Sequence, residues 1–151
     1  MFTYLFTVNP AFLLLSCCLT IRIPSELGLC KDLSLLSLEA NELTMSIPSQ
    51  LGELSRLAWL QLYDNQLSNS IPSELGKLDS LIGLRLERSQ VRGKIPSELG
   101  SLTNLEHVTM HGTSVTGTVP PGFCDLIAIQ QLMVGIDCKG VSCDCGCTCL
   151  N

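Results

Sequence analysis

Apolar side chains return along this chain at a fixed interval. Ile23, Ile47, Ile71, Ile95 and Val119 are evenly spaced, and Leu27, Leu51, Leu75, Leu99 and Phe123 recur at the same spacing. Further columns run through Cys30/Leu54/Leu78/Leu102/Leu126, Leu33/Leu57/Leu81/Leu105/Ile129 and Leu36/Leu60/Leu84/Val108/Leu132. The last two are Leu38/Leu62/Leu86/Met110/Val134 and Leu43/Leu67/Val91/Val115. The second of these reaches Lys139 where an apolar residue is due, so the regular pattern ends near Val134. No block this short can enclose its own leucines, but successive blocks laid side by side bury one another's columns.

Each block contains an L-x-L step, such as Leu60-Gln61-Leu62, whose period of two sends both leucines to one face. That predicts a short strand in every block, and stacking makes those strands neighbours in a parallel sheet about 4.8 Å apart. The strand is followed by a turn and then by Pro-Ser-Glu-Leu-Gly, repeated with small changes. Proline suits the start and glycine the end of a short helical or 3₁₀ turn, with Ser and Glu stabilising its first residues. The expected organisation is an apolar segment over 1–22, a solenoid of 24-residue repeats over 23–137 and a Cys-rich cap over 138–151.

The pattern L-x-x-L-x-L-x-x-N-x-L-x-x-x-I-P-x-x-L-G-x-L over roughly 23–138 resembles the plant-type leucine-rich repeat. The resemblance implies an α/β right-handed solenoid, with short parallel strands on a concave face and short helical or 3₁₀ turns opposite. Relatives of this type include ectodomains of receptor-like kinases, receptor-like proteins and inhibitors of cell-wall-degrading enzymes. They imply a non-catalytic binding module, secreted or at the cell surface, with a protein or peptide ligand. The motif asparagine is present at Asn41 and Asn65, where its amide can satisfy turn backbone. Ser89, Thr113 and Asp137 replace it, which predicts looser turns toward the C-terminal half.

Composition narrows the function classes. The 151 residues are 46% hydrophobic but only 5% aromatic, so the core is aliphatic. A net charge of -5 with scattered Lys and Arg gives no stripe for a phosphate backbone, which argues against a nucleic-acid partner. There is no glycine-rich phosphate loop, nucleophile elbow or kinase signature, so neither catalysis nor a cofactor is expected.

Both ends carry two readings. Cys124, Cys138, Cys143, Cys145, Cys147 and Cys149 suit a disulfide cap over the open end of the core, in an oxidising compartment. The alternating C-x-C-x-C-x-C also resembles thiolate-rich metal tracts, although the disulfide reading is preferred and no metal ligand is assigned. At the other end, Ala11 to Leu19 has the length of a secretory h-region, with no basic residue before it. Alternatively, Phe12, Leu14, Cys17 and Leu19 lie one full repeat before Leu36, Leu38, Asn41 and Leu43 and continue the repeat of a longer receptor. Asn9 and Pro10 interrupt a run already too short to span a bilayer. Any membrane association therefore rests on this segment or on a part elsewhere in a longer protein.

The residues left outward by the strand pattern are the candidate ligand contacts. They are Glu39, Trp59, Gln61, Tyr63, Arg85, Glu87, His107, Thr109 and His111. Aromatic and Arg side chains ringed by polar ones have the composition of a binding hot spot. A structural or adhesive role, binding cell-wall polysaccharide through Trp59 and Tyr63, is the other reading. His107 and His111 sit four residues apart on an extended segment, about 13 Å, too far to share one metal ion.

Overall fold

The computed structural model describes residues 12–14, 22–137, 139–145 and 147–149. In chain order the strands begin with β1 (Phe12–Leu14), β2 (Leu35–Ser37), β3 (Trp59–Gln61), β4 (Gly83–Arg85), β5 (Arg92–Gly93) and β6 (His107–Thr109). They continue with β7 (Ser114–Val115), β8 (Gly117–Thr118), β9 (Met133–Ile136), β10 (Val141–Ser142) and β11 (Thr148–Cys149). One seven-stranded parallel sheet takes the order β1-β2-β3-β4-β6-β9-β11, and β5 with β7 and β8 with β10 form two small parallel pairs.

Between β2, β3, β4 and β6 the register advances by one repeat at each step, placing Leu36, Leu60, Leu84 and Val108 opposite one another. All four are fully out of solvent, as are Leu38, Leu62 and Leu86 beside them. The core is one continuous aliphatic cluster from Ile23 to Val141.

The back of each coil is a five-residue 3₁₀ turn, at Ser25–Leu29, Ser49–Glu53, Ser73–Lys77 and Ser97–Ser101. Each is entered from an extended proline whose carbonyl accepts the amide of the leucine three residues on. The cap position is the proline, and the hydroxyls of Ser25 and Ser97 donate to the neighbouring Glu26 and Glu98. The following glycine serves close approach rather than helix termination. A Cβ on Gly28, Gly52 or Gly76 would lie 2.4, 2.2 or 2.5 Å from the next coil's Gln50, Glu74 or Glu98.

Two columns of left-handed backbone recur in the turns. Ala40, Asp64, Arg88 and Gly112 form one, and Met45, Asn69, Gly93 and Gly117 the other, all with positive φ.

The last coil departs from the period. A ten-residue helix, α1 (Pro121–Gln130), replaces the 3₁₀ turn. β6 meets β9 with His107 opposite Met133, so this coil is two residues longer than the others. Val134, not Leu132, therefore stands opposite Val108. Ile129, expected in the core, is 79% exposed because the helix carries it outward. The apolar interior continues past Lys139 to the buried Val141, and β11 adds the cap's own strand to the main sheet beside β9.

At the other edge, β1 pairs with β2, with Leu13 opposite Leu36. That register differs by one residue from the expected match of Phe12 with Leu36. The signal-segment reading otherwise falls on residues outside those described.

Four of the six cap cysteines are accounted for: Cys124 bonds Cys145, and Cys143 bonds Cys147. Cys138 and the side chain of Cys149 lie outside the described residues. Among the described residues, no helix is long and apolar enough to cross a membrane.

Candidate functional site

Strand alternation leaves three rows of side chains on the sheet face away from the core. The first is Leu35, Trp59, Gly83, His107 and Met133, and the second Ser37, Gln61, Arg85, Thr109 and Gly135. The third, Glu39, Tyr63, Glu87 and His111, follows from amide bonds between successive coils just beyond the strands.

The central feature of the first row is a flat aromatic slab. The Trp59 ring lies across Gly83 of the next strand so closely that a Cβ there would fall 2.2 Å from ring atoms Cε3 and Cζ3. Beyond the glycine the ring stacks on His107, with centroids 5.6 Å apart and planes at 24°. The side chains thereby tie β3 to β6 across β4. A lone glycine in a strand marks a place where something approaches the backbone. That signal was available in the sequence, yet Gly83 was not among the candidate residues.

Beside the slab, the Arg85 guanidinium sits 4.1 Å from the Tyr63 ring centroid, within cation–π range. Its Nε donates to Glu87 Oε1 at 3.0 Å, and its Nη2 donates to the same oxygen. The Thr109 hydroxyl donates to Glu87 Oε2. Glu87 is 1% exposed, which corrects its assignment as a solvent-facing contact. Enclosed in this way, it orients Arg85 and Thr109 rather than meeting a ligand. Ser37 is buried as well and donates to Glu39 and, at 3.4 Å, to Gln61 Oε1.

The rim is formed by the turn after each strand. Asp64 and Arg88, one coil apart, make a two-bond ion pair. The hydrogen bond from Arg88 holds the Asp64 carboxyl below its usual pKa, with smaller help from the charge of Arg88 and from Arg85 and His111. His111 adds a buried Nδ1 with no partner among the described residues.

Below the rim, Asn65 fills its turn. Its amide donates to the carbonyls of Leu38, Leu62 and Tyr63, and its oxygen accepts Leu43 N. Ser89 and Thr113 each reach one carbonyl, of Leu86 and Met110, as shorter side chains should. Asp137 does not continue this series. With two extra residues in its coil it falls after Gly135 and accepts the amide of Gly112 at 2.7 Å.

The structure therefore brings Trp59 and His107 together, and separately Tyr63, Arg85, Glu87 and Thr109. Glu39 and Gln61 flank the second group through Ser37, and His111 stands at the rim.

A leucine-rich-repeat family model matches residues 56–78. Among solved structures, the plant peptide hormone receptor RGFR1 in complex with RGF2 is 31% identical with a TM-score of 0.73, over 82% of this chain and 19% of that one. The BIR3–SERK2 complex from Arabidopsis thaliana matches at 32% identity and a TM-score of 0.69, over 85% and 65% of the respective chains. A plant ice-binding protein matches at 29% identity and 0.70, over 83% and 39%. No curated protein matches the chain. Stacked coils of constant register, with an aliphatic interior and one continuous parallel sheet, define a leucine-rich-repeat solenoid. The family-model match and the structural matches support a plant-type leucine-rich-repeat protein. The chain spans about a fifth of the length of the receptor chains it matches first.

Proposed function

We propose that the outward sheet face is a non-catalytic recognition surface for a protein or peptide, in a receptor-like protein acting outside the cell or at its surface. The observation that carries this reading is the Trp59 slab. It is an aromatic surface fixed in advance by Gly83 and His107, and beside it lies a guanidinium held over Tyr63. Rigid aromatic and Arg side chains with immobilised rotamers lose little entropy on binding, and for that reason they dominate interface energetics. The matched structures support the reading, since they include a peptide hormone receptor with its ligand and a two-protein complex. The ice-binding match shows that this fold also hosts other tasks, so the argument rests on the side chains.

The test uses the whole chain, immobilised and panned against a random linear peptide library, with a glycan array run in parallel. Enriched peptides should bind Trp59→Ala at least tenfold more weakly, about 1.4 kcal/mol, while the melting temperature stays close to the parent's. Peptides that bind parent and variant equally, or a response confined to glycans, would overturn the proposal.

A further inference from the structure

Histidine is the side chain whose charge changes between about pH 5 and 8. The chain has two, and one of them, His107, forms half of the aromatic slab. Its ring lies nearly parallel to the Trp59 indole, with centroids 5.6 Å apart and planes at 24°. A proton taken up by this imidazole places a cation on the face of the indole, where the ring's quadrupole favours it.

The surroundings leave that charge unmatched. In the first row His107 stands opposite Gly83 on β4 and Met133 on β9, and Trp59 reaches it from β3. In the second row the Arg85 guanidinium covers Tyr63 and is already engaged by Glu87, whose other oxygen accepts Thr109. At the rim Asp64 is taken by Arg88, Glu39 accepts Ser37, and Asp137 accepts the amide of Gly112. On its own segment His107 follows the exposed Glu106 and precedes His111 by four residues. Among the described residues no carboxylate forms an ion pair with His107. Met133, 60% exposed, and the half-buried indole keep the surface beside it apolar.

We propose that protonation of His107 switches the slab between two binding states, an uncharged platform and a cationic one that takes an acidic residue of the ligand. The switch rests on the recognition reading of the outward face and adds its regulation by pH. In the uncharged state, imidazole and indole offer flat surface to an aliphatic or aromatic residue. In the protonated state the face gains one positive charge without a partner of its own. The apolar ring beside it screens that charge poorly, so a ligand carboxylate placed there is drawn in. Proton uptake and carboxylate binding then favour each other to the same extent.

Trp59 is the chain's single tryptophan, so indole emission reports on the slab alone. A stacked imidazolium quenches indole more strongly than a neutral imidazole does. Titration of the whole chain from about pH 8 to about pH 5 should therefore lower the emission in a single one-proton step. His107→Gln should remove the step, and Gly83→Ala should diminish it by displacing the ring from the histidine. The random linear peptide library is then panned against the parent and against His107→Gln at about pH 5.5 and about pH 8. Acidic residues should be enriched in the parent's acid pool alone, and those peptides should bind about threefold to fivefold more weakly at the higher pH. Level emission, or a step that persists unchanged in either variant, would overturn the switch, as would acid and neutral pools of the same composition. A library that yields no binder, with the emission step present and lost in His107→Gln, would fault the recognition reading and uphold the change of charge on the slab.

Discussion

A carboxylate on the outward side of a strand ordinarily meets water, yet Glu87 is closed in by Arg85 and Thr109 and both its oxygens accept hydrogen bonds. Sequence alternation assigned its side of the sheet, but enclosure depends on how neighbouring coils lean their side chains over it, and no period carries that. Glu87→Ala should cost about 1–3 kcal/mol in urea unfolding, because Arg85 and Thr109 lose their acceptor while Arg85 keeps partial access to water. An unchanged midpoint would show the pair to be idle. Asp64 gives a pH dependence of defined sign. Its carboxyl is depressed by Arg88, so its contribution is present above the ordinary carboxylate pKa and fades as pH falls through the folded value. Being exposed, the pair contributes little. Any stability difference between parent and Arg88→Ala at pH 6 should shrink at pH 3, and a gap that widens in acid would contradict the assignment.

Single coils are organised by glycine and by handed turns as much as by leucine. The leucine columns were legible because burial on one face of a repeated unit forces a strict period. The glycine of Pro-Ser-Glu-Leu-Gly was legible only as punctuation, whereas its function is to admit the neighbouring coil. Gly52→Ala should therefore destabilise the chain by about 1–3 kcal/mol through overpacking against Glu74, measured by thermal melting. Indifference at this position would mean that the backs of the coils are looser than described. In the second left-handed column, Asn69, Gly93 and Gly117 announce the conformation and Met45 conceals it. Met45→Gly should raise stability by about 0.5–1 kcal/mol, since glycine removes the left-handed penalty at an exposed site. A loss of stability there would refute the assigned turn.

Across the whole molecule, stability is the sum of coils and the contacts between them. Leu60 lies in the middle of this array and is fully buried, so Leu60→Asp should abolish cooperative unfolding of the adjacent coils, followed by circular dichroism against temperature. A parent-like melt would sink the stacked interior. The final coil escaped sequence reading because α1 lengthens it by two residues. An even shift returns the same residues to the same sides, so the outward assignments of Met133 and Gly135 survived an incorrect register. Strand alternation gave the side of the sheet for the rings and charges of the candidate face, though not the enclosure of Glu87. Their partnerships, Trp59 with His107 and Arg85 with Tyr63, depend on side-chain directions that sequence spacing does not specify.

The sheet also works as a ruler. With neighbouring strands about 4.8 Å apart, the stretch from Trp59 on β3 to His107 on β6 measures about 10 Å, and extended chain advances about 3.3 Å per residue. A segment crossing the strands at right angles would pass over the stacked rings in about three residues, whereas the full width from β1 to β11, about 29 Å, would take about nine.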